Sequence, residues 1–136
     1  MEIIGIGTDI TACSRIARML TRHPHAFIDH VYTEEEDRYC SRHSGSVEHY
    51  AGRWCAKEAV LKTLGTGWIR GITWRDVEVH NELSGRPTIR LSGGAKERAD
   101  TLGIDEILIT ISHCREYATA TAIAIRHPLA TPGAPQ

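Results

Sequence analysis

The stretch Tyr117-Ala118-Thr119-Ala120-Thr121-Ala122-Ile123-Ala124-Ile125 decides how the rest of the chain is read. Strict alternation with β-branched residues predicts a strand, with Ala118, Ala120, Ala122 and Ala124 on one face. Four alanines on one face require something to pack very close: either the sheet of another copy or a helix of the same chain. Just upstream, Ile107 to Ser112 reads as a second strand, joined tightly through His113, Cys114, Arg115 and Glu116. Further back, Ser92 caps a short helix ending near Gly103. Ile72–His80 and Thr88–Leu91 are expected strands around the turn Ser84-Gly85-Arg86-Pro87. A longer helix is predicted from about Val47 to Leu64, stopped by Gly65. Thr33 with Glu36 forms a capping box for a helix towards Cys40, and a first helix covers about Ser14 to Thr21.

The chain opens on another strand, Ile3 to Ile10. Ile4, Ile6, Thr8 and Ile10 fall on one side; Ile3, Gly5, Gly7 and Asp9 fall on the other. Asp9 therefore ends a face whose nearest neighbours lack side chains, which leaves room for a ligand or for a close backbone. The order of strand, helices and then mostly hairpins predicts an α+β domain. Its small, mostly antiparallel sheet would pack against one long and several shorter helices. The domain is expected over residues 1–126. Residues 127–136, with Pro128, Pro132 and Pro135, read as a flexible tail.

Composition narrows the function classes. The chain has 136 residues, 41% hydrophobic and 24% charged, enough for one modest core. Sixteen Lys and Arg against seventeen Asp and Glu give a net charge of −1, which argues against a generic nucleic-acid binder. No apolar run approaches the roughly 18–20 residues that span a bilayer, and no signal-like segment opens the chain. A soluble, cytoplasmic protein is expected. Cys13, Cys40, Cys55 and Cys114 form no Cys-x-x-Cys pair, so neither a zinc ribbon nor a disulfide framework is indicated. The eight histidines show no zinc-site spacing.

Charge placement on the long helix is anomalous. Tyr50, Trp54, Leu61 and Leu64 make its apolar arc, Lys57 falls inside that arc, and Glu58 lies about 40° beyond Trp54. Lys62 follows Glu58 by one turn. A helix-surface Glu–Lys pair explains those two but not charges at the apolar border, where burial demands a partner or an ion. Gly65-Thr66-Gly67 admits two readings, a helix stop with a turn or a phosphate cradle. The helix C-terminus repels anions, and Lys62 with Arg53 would have to offset that. His113 stands where an apolar strand enters a tight turn.

Taken in order, several blocks resemble the holo-[acyl-carrier-protein] synthase family, the short bacterial type of 4′-phosphopantetheinyl transferase. They are Gly5-Ile6-Gly7-Thr8-Asp9-Ile10, Arg53-Trp54-Cys55-Ala56-Lys57-Glu58-Ala59 running to Lys62, Gly65-Thr66-Gly67, Ser84-Gly85-Arg86-Pro87 and Ile111-Ser112-His113. Each block alone is weak; the ordered set is specific and covers residues 1–126. Cys55 stands where the family commonly has alanine.

The resemblance implies that family's fold and transfer of phosphopantetheine from coenzyme A to a serine of apo-acyl carrier protein. It also implies adenosine 3′,5′-bisphosphate as the second product and a place in fatty acid biosynthesis. By the same carry-over, Asp9 and Glu58 would hold Mg²⁺, which keeps several waters and needs few protein ligands. Glu58 and Lys62 would be catalytic; whether Glu58 or a water takes the serine proton stays open. Coenzyme A would meet Arg53, Lys62, Gly65, Thr66, Arg86, Pro87 and His113. The family's homotrimer, with sites shared between subunits, would use the alanine face. Arg15, Arg18 and Arg22, at spacings of three and four, would receive the acidic carrier protein. Two other classes remain open on the residues alone: a nucleotide-binding module without turnover, and a purely structural α+β domain.

Overall fold

The computed structural model describes residues 1–65 and 71–129. Strand β1 (Glu2–Ala12) leads through α1 (Cys13–Arg22), α2 (Pro24–Val31) and α3 (Glu34–Ser41) into the long α4 (Ser46–Thr63). The hairpin β2 (Val77–Asn81) and β3 (Pro87–Leu91) follows, then α5 (Gly93–Leu102), β4 (Glu106–His113) and β5 (Tyr117–Arg126). β5 lies between β1 and β4, antiparallel to both, while β2 and β3 form a separate two-stranded sheet. This is the expected α+β architecture.

The alanine face has a definite covering. Ala118, Ala120, Ala122 and Ala124 are buried, and they pair with Thr11, Asp9, Gly7 and Gly5 of β1, so one Ala/Gly surface runs across both strands. Helix α4 lies on that surface. A Cβ placed on Gly5 would stand 2.5 Å from the Thr63 carbonyl oxygen, and one on Gly7 would stand 2.1 Å from that of Ala59. The glycine face of β1 thus accommodates a close backbone. The stepping is regular because four helical residues rise about 6 Å and two strand residues about 6.6 Å. The expectation that the alanine face joins copies of the chain is corrected here: α4 of the same chain occupies it. The opposite face is open instead, with Ile6 and Ile10 67% and 68% exposed.

A second correction concerns the start of β1. The register slips between Ile3 and Gly5, and the extra residue changes the phase of the alternation. Ile3 is consequently exposed, while Ile4 packs on the core.

Lys57 and Glu36 resolve part of the helix anomaly. The Lys57 ammonium, fully buried, lies 2.6 Å from Glu36 Oε1 and donates to the carbonyls of Trp74 and Val77. Glu36 also accepts from the Thr33 amide at 2.9 Å, completing the capping box, and from the Val79 amide at 3.0 Å. One carboxylate therefore ties α3, α4 and β2 together. Burial pulls the Lys57 pKa down, and the adjacent Glu36 opposes that pull. Removing one partner of such a pair costs about 3–5 kcal/mol, because the other charge stays buried.

The remaining differences are local. Pro24 opens α2, a helix the sequence reading did not include, and Phe27 and Val31 bury its inner side. Ile72–His80 is not one strand: a 3₁₀ turn at Trp74–Asp76 precedes β2. The side chain of Ser92 caps nothing; the Asp76 carboxylate accepts from the Ala95 amide at the start of α5. Gly103, at φ +76°, closes that helix as expected. β5 ends at Arg126, the His127 ring meets Glu106 at 2.9 Å, and residues 130–136 of the expected tail lie outside the described residues.

Gly7→Ala should destabilise the fold by about 3 kcal/mol or more, because the added methyl meets helix backbone that cannot yield without moving α4. Urea unfolding measures this, and a midpoint equal to wild type would mean that helix and strand stand further apart than described.

Candidate functional site

Asp9 continues the series begun by Gly5 and Gly7, on the face of β1 that meets α4. From α4 come Cys55, Glu58 and Lys62, whose spacings of three and four put them on one helix face. Lys62 Nζ lies 3.3 Å from Asp9 Oδ1 and donates to the Thr8 carbonyl at 2.7 Å. On the other side of Glu58, the Cys55 thiol donates to the Ala118 carbonyl at 3.3 Å. Burial, then the neighbouring Asp9 charge, pushes that thiol up to about 12, so it stays protonated and is no nucleophile. Glu58 is half-buried between two residues that each neighbour Asp9.

The donor set is two carboxylates, all hard oxygens, with one ammonium beside them. Among the described residues no cluster of three or more His, Cys, Asp or Glu could hold a metal. A cation at this edge would need most of its shell from water and phosphate oxygens, which is how Mg²⁺ is ordinarily bound. The residues present therefore fit that ion. Gly65, at φ +72°, follows the end of α4, and the expected phosphate contact Thr66, with Gly67, lies outside the described residues.

A second cluster forms where α3, α4, the hairpin and β4 meet. Tyr39, His49, Arg53, Asn81, Pro87 and His113 line a pocket of about 190 Å³. Arg53 is buried, its guanidinium 3.9 Å above the Tyr39 ring and its Nη2 donating to Asn81 Oδ1. Arg53 Nε is buried without a hydrogen-bond partner, which costs about 1–3 kcal/mol. His113 Nδ1 lies 3.2 Å from Glu48. Of the residues expected here, Arg53, Pro87 and His113 converge. Arg86 does not line this pocket; with Pro87 it lines a separate cleft between β3 and β4.

Tyr39, His49 and Asn81 were missed from sequence. His49 had one legible signal, its position one helical turn before Arg53. It lies in the first turns of α4, within the helix predicted from about Val47. Asn81 and Tyr39 carried none, because their elements meet α4 only in the folded chain.

The two clusters open on different sides of α4. Arg53 and Glu58, five residues apart, are separated by about 140° around the helix and about 7.5 Å along it. Arg15, Arg18 and Arg22 are all exposed on α1, the Arg15 guanidinium 5.4 Å from the Trp54 ring centroid. No described helix is long and apolar enough to cross a membrane.

An antiparallel sheet closed by one long helix, with a carboxylate–lysine edge and a cationic pocket, corresponds to a known class of group-transfer enzyme. Residues 5–122 match the family model of the 4′-phosphopantetheinyl transferase superfamily. The chain belongs to that superfamily, within its holo-[acyl-carrier-protein] synthase family. It is 42% identical to the holo-[acyl-carrier-protein] synthase of Chlamydia pneumoniae over 125 residues, covering 92% of this chain and 99% of that protein. Among solved structures, the synthase from Neisseria meningitidis superposes with a TM-score of 0.82 at 30% identity, covering 92% of this chain and all of that one. The Helicobacter pylori synthase in complex with coenzyme A superposes with a TM-score of 0.77 at 28% identity, covering 88% and 99%.

Proposed function

We propose that this enzyme transfers the 4′-phosphopantetheine arm of coenzyme A to a serine hydroxyl of apo-acyl carrier protein, releasing adenosine 3′,5′-bisphosphate, in cytoplasmic fatty acid biosynthesis. The observation that carries this reading is the meeting of Asp9 and Lys62 across the α4–β1 seam, with Glu58 on the same helix face. Asp9 and Glu58 would hold Mg²⁺, which neutralises charge on a diphosphate during in-line displacement. Lys62 places a point charge where the pyrophosphate would lie. Arg53, with its unpartnered Nε, and His113 and Pro87 suit the adenine and 3′-phosphate end. In apo-acyl carrier protein plus coenzyme A, the expected product is a carrier protein heavier by one phosphopantetheine. Asp9→Asn and Glu58→Gln should each lose at least about a hundredfold in kcat/KM, about 2.7 kcal/mol. Transfer that proceeds equally with a chelator, or at wild-type rate in either variant, would overturn the metal assignment.

The working form in this reading is a homotrimer whose sites are completed by neighbouring chains. Two features support it: the exposed apolar sheet face at Ile6 and Ile10, and carboxylate and cationic clusters that open on different sides of α4. Ile10→Asp should dissociate the assembly in sedimentation and abolish transfer. A fully active monomer would sink the shared site.

Carrier-protein docking is assigned to Arg15, Arg18 and Arg22, whose exposed cluster stands out on a nearly neutral chain. The Trp54 ring beneath Arg15 favours an outward, preorganised guanidinium. Arg15→Ala should raise KM for the carrier protein severalfold, leave KM for coenzyme A unchanged and flatten the salt dependence of kcat/KM. An effect on coenzyme A alone would assign α1 to the nucleotide instead.

A further inference from the structure

His49 lines the cationic pocket without a role in the reading above. One helical turn before Arg53, it leaves α4 on the same side. Its ring centroid lies 4.3 Å from His43 in the α3–α4 connection and 5.2 Å from His113 at the end of β4. Tyr39 of α3 meets it edge-on at 5.6 Å, and Arg42 lies 5.5 Å from the Tyr39 ring. On α4 itself the charged neighbours are Glu48 and Arg53. The hairpin contributes Asn81, Gly85 and Pro87, none of which titrates. Among the described residues, Glu48 is thus the one acidic group facing His49, and His113 already engages it at 3.2 Å.

Two imidazoles and a guanidinium this close to His49 oppose its protonation. Burial, then His43, His113 and Arg53, hold His49 below its ordinary value. A phosphomonoester reverses that balance. Its second pKa is about 6, so near neutral pH it arrives mostly as a dianion, and an opposite charge within about 4–6 Å favours the protonated imidazole.

We propose that His49 is a phosphate-responsive binding residue: packed between His43 and His113, it takes up a proton from solvent when the 3′-phosphate of coenzyme A enters the pocket. This rests on the assignment of that pocket to the 3′-phosphate end. The consequence is a coenzyme A affinity that strengthens as pH falls towards neutrality, and a preference for the 3′-phosphorylated nucleotide that depends on pH.

Titration calorimetry in buffers of different ionisation enthalpy counts the protons directly, with coenzyme A and 3′-dephospho-coenzyme A as probes. Coenzyme A should take up about half to one proton, so its Kd rises about three- to tenfold from about pH 7 to 8. The dephospho compound should take up none. His49→Phe keeps a ring in the cluster, and His49→Gln keeps a polar side chain without one. Each should bind coenzyme A with less than half the wild-type proton uptake and a flatter pH dependence. Wild-type uptake in both variants, or equal uptake for the two probes, overturns the role of His49. Wild-type chain that binds neither probe overturns the coenzyme A assignment itself and this inference with it.

Discussion

The close approach of α4 to the sheet is the constraint on which the rest of the structure depends. Positions Gly5 and Gly7 are occupied, in effect, by helix backbone, and the four alanines of β5 continue that shallow surface. The match of four helical residues to two strand residues keeps contacts in phase along the seam. Asp9 is the next position of the same series, at the place where the helix offers Cys55 and Lys62 rather than bare backbone. The carboxylate edge is therefore a direct extension of the packing that holds the fold together. Cys55 is accommodated there because its thiol finds the Ala118 carbonyl.

The buried Glu36–Lys57 pair plays the complementary part on the other side of α4. Hydrophobic contact alone would let α3 and the β2–β3 hairpin slide against the helix, since such contact is not directional. A carboxylate that accepts from the Thr33 amide, the Val79 amide and Lys57 permits one arrangement of three elements. That arrangement brings Tyr39 of α3 and Asn81 of β2 to Arg53, and so builds the cationic pocket. Because the helix exposes the pocket and the carboxylate edge on different sides, a nearly neutral chain carries two separate regions of opposite character.

Much of this was legible before folding. Alternation in β5, the glycines of β1, the Thr33/Glu36 box and the stop at Gly65 located most of the elements. The misplaced charges of α4 pointed to a special helix, though the pattern could not divide them: Lys57 is a structural anchor, while Lys62 meets Asp9 with Glu58 on the same helix face. The helix opened by Pro24 went unread, and the bulge between Ile3 and Gly5 inverted two side chains that strict alternation had assigned.

The sequence by itself determined the element types, the shallow Gly/Ala surface and the family, because each depends on local periodicity or on an ordered set of short blocks. Only the tertiary structure decided that the alanines are covered by the chain's own helix, that Lys57 pairs with Glu36, and that Arg86 parts company with Arg53. It alone gathered His43, His113 and Tyr39 around His49, with Arg53 over the Tyr39 ring. Periodicity fixes which face of an element a residue occupies. Which element covers that face depends on contacts between residues far apart in the chain, and those exist only once the chain has folded.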